Sequence, residues 1–322
     1  MKKKVAVVCG GYSGESVVSM QSAQMIMDNI DRSMFEPVKI VVTESEWYAA
    51  TEQGNTPVNR SNFSVLMNGT EITFDGVFMI IHGTPGENGI LQGYFELLGI
   101  PTTTGDTLNM ALTFNKKMTT RVLGTYGFNV AKSITLRRTD SYSTQQIIDQ
   151  VGLPCFVKPN CGGSSIGTSR VNVMEDLHKA IDTALGVDHQ IIIEEFIQGT
   201  EVTCGVIKWE GNITALPITE IVSQKEFFDF EAKYKGQSEE ITPARIEEEI
   251  YKKVQAHSEA IYTSLDCRGM IRVDYIIRGK DVFVIEVNTT PGFSEASIIP
   301  QQASAKGIDK QALISAVINS CF

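Results

Sequence analysis

Apolar positions along this chain alternate between strand-length runs and helical stripes. Lys4–Cys9 is a β-branched run that stops at Gly10-Gly11. From Ser16 to Asn29 the apolar residues Val17, Met20, Ala23, Met25 and Ile26 follow a helical pattern. Phe35–Val42 and Phe74–Ile81 read as further strands. Strand, glycine turn, helix, strand is the opening of a doubly wound α/β unit. Binding loops in such sheets lie at the carboxyl ends of the strands, so the Gly10-Gly11 turn and the loop His82–Gly89 should face one crevice.

Pro101–Gly105 is polar and turn-rich, and a fresh helix starts near Asp106. A smaller α+β region follows to about Gln190. Beyond it lie strand patterns at Gln190–Glu195, Val202–Lys208, Met270–Ile277 and Val282–Val287, with helices at Arg245–Leu265 and Asp309–Ser320. Gln224–Ala244 has many charges and little periodicity, and reads as a long loop or lid. The expected domains are 1–104, 105–190 and 191–322.

With 42% apolar and 20% charged residues in 322, this is the composition of a soluble globular protein. No run approaches the ~18 apolar residues of a membrane span. The basic start Met1–Lys4 is followed by the apolar stretch Val5–Cys9, short of the ~7–15 residues of a signal-peptide core. A cytoplasmic protein with no membrane partner is the expectation. The six cysteines contain no Cys-x-x-Cys pair, which points to reduced thiols rather than a zinc or disulfide framework. A net charge of −10 argues against nucleic acid as a partner, although a local basic cluster could still hold a nucleotide's phosphates.

Three constellations carry candidate chemistry. Lys158–Gly167 follows the apolar strand Pro154–Val157 and combines a lysine, three glycines and the hydroxyls of Ser164 and Ser165. Such a loop handles phosphate or is a plain glycine-rich hairpin turn, and it lacks the Gly-Lys-Ser/Thr of a Walker loop. Ile193–Glu201 joins two strands with acidic residues at both ends, which suits an adenine amino group and ribose hydroxyls but by itself reads as a solvated acidic turn. The third pairs Arg272 and Asp274 on one strand with Glu286 and Asn288 on the next. Residues i and i+2 share a strand face, so each pair projects together. Placing Asp274 opposite Glu286 requires an odd hairpin loop such as Gly279-Lys280-Asp281, because a two-residue turn would put the acids on opposite faces. Two facing carboxylates repel unless a cation bridges them, and with an amide oxygen they form a hard oxygen site suited to Mg²⁺. The competing reading is a surface salt-bridge ladder; the apolar flanks favour a cleft. The four histidines show no zinc-enzyme spacing, no nucleophile elbow exists, and Gly10–Glu15 lacks a dinucleotide fingerprint.

Taken in order, Gly10–Glu15 with Val18-Ser19, His82–Gly93, Lys158–Gly167, Glu231–Tyr234, and Arg272–Asp274 through Glu286–Gly292 resemble the D-alanine–D-alanine ligases of the ATP-grasp superfamily, over nearly the whole chain. The resemblance implies an α/β, three-domain ATP-grasp fold with a Rossmann-like N-terminal domain, and ATP between the central and C-terminal domains. It implies that ATP converts the carboxylate of one D-alanine to an acyl phosphate, which a second D-alanine attacks. It further implies Mg²⁺ or Mn²⁺, two ions per site, held by Asp274, Glu286 and Asn288, and a homodimer. Lys116, Lys158, Ser165, Glu194, Glu195, Phe196, Glu201, Lys233 and Phe283 match ATP-contacting positions. Glu15 matches the residue that binds the first D-alanine's ammonium, and Ser164 and Tyr234 its link to the lid. Arg272 and Gly292 match oxyanion stabilisers, while His82, Lys233 and Ser297 match substrate-pocket positions. The sequence departs from many relatives at Ser16-Val17, Gly162 and Tyr275. Tyr234 favours D-alanine over D-lactate as acceptor.

Overall fold

The computed structural model describes residues 2–52, 54–223 and 238–322. Its first sheet grows from β1 (Lys3–Gly10), which pairs in parallel with β2 (Phe35–Val42) on one side and β7 (Gly76–Met79) on the other. β1 is buried on both faces: Val5, Val7 and Cys9 enter one core, Ala6 and Val8 another. A continuous apolar run is what a parallel strand covered on both faces requires. Helix α1 (Ser16–Asn29) packs on one face, through Ala23 and Ile26, and α2 (Ile90–Leu98) on the other, through Leu91 and Phe95. Only the β2-β1-β7 portion is doubly wound. Beyond β2 the sheet continues as an antiparallel meander, β3 (Trp47–Thr51), β4 (Gly54–Asn59), β5 (Ser64–Met67) and β6 (Thr70–Ile72). These short strands run out to the sheet's edge, where partial exposure leaves no apolar run to read.

Helices α3 (Thr107–Phe114) and α4 (Lys116–Thr125) follow, each with a side-chain cap: Asp106 accepts from Asn109 N–H, and Asn115 from Met118 N–H. The second sheet has the order β11-β10-β12-β9, formed by β9 (Ser133–Arg137), β10 (Cys155–Pro159), β11 (Ser169–Val171) and β12 (Gln190–Glu195). Helices α5 (Thr144–Val151) and α6 (Leu177–Leu185) cover one face and close a separate core around Cys155, Val157, Ile191 and Ile193. The boundary expected after residue 190 therefore needs correction. It falls inside β12, whose ladder with β10 and β9 ties it to the central sheet.

The third sheet contains β13 (Thr200–Trp209), β14 (Asn212–Ala215), β15 (Thr219–Ser223), β16 (Ser238–Ile241), β17 (Met270–Arg278) and β18 (Asp281–Asn288). β18 also pairs in parallel with β8 (Asn129–Val130), so the segment before the central sheet belongs structurally with the third. β16 corrects the reading of Gln224–Ala244 as loop throughout: Ser238–Ile241 forms an edge strand against β15. Helix α7 (Glu248–Ser264) covers one face, against Val202, Cys204, Val273 and Tyr275. Tyr275 is fully buried there, and its hydroxyl lies 2.7 Å from Ser258 Oγ. Part of the opposite face is closed by α8 (Ile298–Ala305) and α9 (Lys310–Asn319), which share one core with α1 and β1. What remains open on that face is the site. No described helix is long and apolar enough to cross a membrane.

Candidate active site

Register builds the centre of the site. Across β13, β17 and β18, Thr203 pairs with Asp274 and Asp274 with Glu286, while the next row is Gly205, Arg272 and Asn288. Asp274 and Glu286 thus face each other as expected, but the loop that puts them there is not the expected one. Arg278 pairs with Asp281, leaving a two-residue turn, Gly279-Lys280. That turn alone would set Asp274 against Ile285 and turn Glu286 to the core. A bulge at Asp274/Tyr275 restores the alignment: Tyr275 pairs with Val284, Asp274 with Glu286, and Ile285 is the extra residue.

Asp274 is held from three directions. Arg272 donates to it in a fork, Nε to Oδ1 at 2.8 Å and Nη2 to Oδ2 at 2.9 Å. Thr203 Oγ1 donates to Oδ1 at 2.6 Å, and Asn288 Nδ2 to Oδ2 at 3.0 Å. With its amide nitrogen turned to Asp274, Asn288 has its carbonyl oxygen available to another partner. Lys116 Nζ stands 3.8 Å from Glu286 Oε2 and donates to Gly162 O at 2.6 Å. Among the described residues no group of three or more His, Cys, Asp and Glu side chains could hold a metal. Two carboxylates and one amide oxygen still fit a hard divalent cation of the kind that completes its shell with water and substrate phosphates.

Three cavities meet at these rows. The largest-bodied groups of the nucleotide reading line one of 310 Å³, among them Lys158, Ser165, Phe196, Glu201, Asp274 and Glu286. Strand period explains the wall: Phe156 and Lys158 project to the cavity while Cys155 and Val157 enter the core. Glu194 stands opposite Phe156 and diagonal to Lys158, and the carboxylate meets Lys158 Nζ at 2.5 Å. Burial pulls the Lys158 ammonium down, but Glu194 and Glu286 outweigh it, and its pKa ends above the ordinary lysine value. Glu195 lies further along β12, where it accepts from Lys132 N–H at 2.8 Å. Phe283 is buried with Ala131 and Ile197, and Ile197 in turn lines the cavity.

A second, smaller cavity of 140 Å³ is lined by Glu15, His82, Glu87, Lys116, Arg272, Glu286 and Gly292. Glu15 sits at the N-terminus of α1, where the helix dipole favours an anion, and its side chain makes no cap bond. Instead it accepts a short hydrogen bond from Ser164 of the glycine-rich loop. Gly163 permits this approach, because a Cβ there would lie 2.9 Å from Glu15 Oε1. His82 Nδ1 donates to Thr290 O at 2.9 Å, which fixes the tautomer and leaves Nε2 facing Ser22 Oγ at 3.5 Å. Burial, offset in part by that carbonyl and reinforced by Arg272, lowers the His82 pKa to about 4, so the ring is neutral. Ser22 also accepts from Phe293 N–H at 3.1 Å, so α1, the His82 loop and the Gly292 loop are stitched together.

Glu87 received no role of its own in the sequence reading. It is half-buried beside Glu15 and Glu286, accepts from Gly83 N–H at 2.6 Å, and has its pKa raised to about 8, by desolvation first and by the Glu15 charge second. The signal was its place in His82–Gly93; its neighbours Glu15 and Glu286 were not visible in one dimension. A third cavity holds Ser297, Gly292, Arg272, Glu240 and Gln21. Ser297 Oγ accepts from Ser294 N–H at 2.9 Å. Lys233 and Tyr234 lie outside the described residues.

Two family models match: the D-ala D-ala ligase N-terminus over residues 4–105 and the D-ala D-ala ligase C-terminus over residues 122–319. The chain belongs to the D-alanine–D-alanine ligase family. It is 46% identical to a D-alanine–D-alanine ligase of Christiangramia forsetii over 323 residues, covering 100% of this chain and 99% of that one. A Porphyromonas gingivalis ligase of the same name is 45% identical, covering 99% and 98%. Among solved structures, the D-Ala:D-Ser ligase VanG of Enterococcus faecalis superposes with a TM-score of 0.89 at 34% identity, covering 100% of both chains. The Bacillus anthracis D-alanine–D-alanine ligase complexed with ATP gives 0.81 at 27% identity, covering 99% of this chain and 97% of that one. The fold is the ATP-grasp fold of these ligases.

Proposed function

We propose that this chain joins two D-alanine molecules at the expense of ATP, through an acyl phosphate, to make D-alanyl-D-alanine for peptidoglycan. The observation that carries the reading is the row Asp274–Glu286 standing where the nucleotide cavity meets the smaller one. ATP occupies the 310 Å³ cavity, with Lys116, Lys158 and Ser165 toward its phosphates, Glu194, Glu195, Phe196 and Phe283 about the adenine, and Glu201 at the ribose. When bound, Mg²⁺ or Mn²⁺ supplies charge neutralisation to the transferring phosphoryl group, and Asp274, Glu286 and Asn288 are the residues that hold it.

The first D-alanine lies in the smaller cavity, its ammonium on Glu15 and its carboxylate toward Arg272 and Gly292. A carboxylate oxygen attacks the γ-phosphorus, the bond to the β,γ-bridging oxygen breaks, and ADP leaves. The ammonium of the second D-alanine gives up one proton to solvent, the amine attacks the acyl carbon from the side of Ser297, and the nitrogen loses its second proton to solvent as the intermediate collapses. The tetrahedral oxyanion is stabilised by Arg272 and Gly292 N–H, and phosphate departs as the amide forms. Neutral His82 orients the Gly292 loop rather than carrying charge. Lys233 and Tyr234 complete the lid in this reading. The protein acts in the cytoplasm as a homodimer.

The test is ADP release that requires D-alanine and Mg²⁺ and does not occur with L-alanine. Folded protein that releases no ADP under those conditions ends the proposal. A second reading, D-serine as acceptor, is favoured by the similarity to the E. faecalis D-Ala:D-Ser ligase. Parallel assays with D-alanine, D-serine and D-lactate decide between them, and light scattering tests the dimer.

A further inference from the structure

Helix α4 is capped in part by a residue from another sheet. The opening N–H groups of a helix have no partner within it. At α4, Asn115 N–H donates to Leu112 O at 3.1 Å and Met118 N–H to Asn115 Oδ1 at 3.0 Å, both close in sequence. The N–H groups between them, of Lys116 and Lys117, donate to the backbone O and the side-chain Oδ1 of Asn160, each at 3.0 Å. Asn160 follows β10 directly and is fully buried. Its Nδ2 donates to Gln190 Oε1 and its N–H to Gln190 O, each at 3.0 Å, which fastens it to β12.

The two sides of this joint pack into different cores. α4 enters the core of the third sheet through Leu123, with Val202, Val273 and Val287. β10 and β12 enter the separate core of the four-stranded sheet. Each side carries a lysine of the nucleotide cavity: Lys158 lies on β10, just before Pro159 and Asn160, and Lys116 opens α4. Lys116 Nζ reaches Gly162 O at 2.6 Å and stands 3.8 Å from Glu286 Oε2. How far apart the two ammonium groups sit therefore depends on how α4 meets the end of β10. Asn160 makes that meeting with backbone and side chain alike. An apolar side chain of similar size would leave the Lys117 N–H without its acceptor.

We propose that Asn160 is a positioning residue for nucleotide binding: by capping α4 from the end of β10, it holds Lys116 at the distance from Lys158 that the triphosphate requires. This rests on the ATP site of the reading above and adds to it a residue that touches no substrate. Asn160 takes part in no bond-making step and acts through Lys116.

The test uses the full chain with Mg²⁺ and without D-alanine. ATP affinity is measured by calorimetry and adenosine affinity by NMR titration, both well below the melting temperature. Asn160→Ala should weaken ATP binding about tenfold, while adenosine, which has no phosphates, stays within about twofold of wild type. Asn160→Asp keeps an oxygen for the Lys117 N–H, at a helix start that favours an anion, and should bind ATP within about threefold of wild type. In a Lys116→Ala background, Asn160→Ala should weaken ATP by less than about twofold more, because the residue it positions is already gone. Equal losses for ATP and adenosine would make Asn160 a general support of the fold and overturn the proposal. Losses that multiply in the Lys116→Ala background, or an Asn160→Asp variant as weak as Asn160→Ala, overturn it too. If Asn160→Ala does not fold, Asn160→Ser, with a side chain too short for both partners, is held to the same expectations. Wild-type protein that binds no ATP brings down the ATP site and this inference together; wild type that binds ATP, with Asn160→Ala binding it equally, brings down the inference alone. Bound ATP that does not react when D-alanine is added ends the ligase reading without moving these affinities.

Discussion

The first and third sheets share one apolar core, whereas the four-stranded sheet between them in sequence keeps its own. The chemical groups of the two regions are accordingly held in different ways. Asp274, Glu286, Arg272 and Asn288 are set by strand register, and their neighbours are fixed by the ladder. The glycine-rich loop of the four-stranded sheet reaches the same place through a few side-chain bonds, Ser164 to Glu15 and Lys116 to Gly162. Ser164 and Ser165 lie at φ of 51° and 57°, a conformation that residues other than glycine seldom adopt. A ladder holds charge in one arrangement, while a loop tied largely through side chains can bring charge in and let it go. The division suits a reaction in which the phosphoryl group must be gripped only during transfer.

The sharpest way to break this comparison is to change one group on each side. Glu286→Gln should lower turnover by about a thousandfold or more, several kcal/mol of transition-state stabilisation, with the melting temperature unmoved. Steady-state ADP release and thermal melting measured together check it; near-normal rates would mean the sheet row is not the reacting centre. On the loop's own sheet, Lys158→Met should do two things at once. It should weaken ATP binding and, by leaving Glu194 buried and unpaired, destabilise that sheet by roughly 3 kcal/mol. Calorimetry with ATP and denaturant unfolding separate the two effects. Ser164→Ala removes the tie to Glu15, so a loss of about tenfold in kcat/KM for D-alanine is expected, with a change in stability below about 1.5 kcal/mol. If it equals Glu286→Gln in severity, the loop is as integral as the ladder and the contrast fails.

The smallest effect concerns pH. Glu87 has its pKa raised to about 8, above the ordinary glutamate value of about 4.5, so the folded chain keeps a proton there that the unfolded chain releases. Its contribution to stability is therefore greatest below about pH 4.5 and is lost progressively as pH rises toward 8. Glu87→Gln should flatten that part of the stability curve. Melting temperatures of both proteins across the interval, without substrates, check the sign, and a steeper fall in the variant would contradict it.

Much of this architecture is visible in one dimension because burial on both faces leaves long apolar runs. β1 and β12 are of that kind, while β17 and α1 are legible from the period of a single buried face. The meander β3–β6 is not, since its strands are short and partly exposed, and neither is β8, a strand of only two residues. In the site, alternation along β17 and β18 shows which residues project together, but not how the hairpin closes. Placing one odd residue in the loop or in a bulge leaves the same spacing between Asp274 and Glu286, so the sequence reading chose the loop and the fold uses the bulge. The clustering of Glu87 with Glu15 and Glu286 depends on segments far apart in the chain, which only the assembled cavity brings together.

The bulge at Ile285 couples the far tip of the hairpin to the acidic row by parity. Lengthening the Gly279-Lys280 tip by one residue swings Glu286 into the apolar interior unless Ile285 is lost at the same time, whereas adding two keeps it in place. Natural variation in this hairpin should therefore come in even steps or in compensating pairs, and a lone inserted glycine at the tip should silence the enzyme from a position that touches none of its substrates.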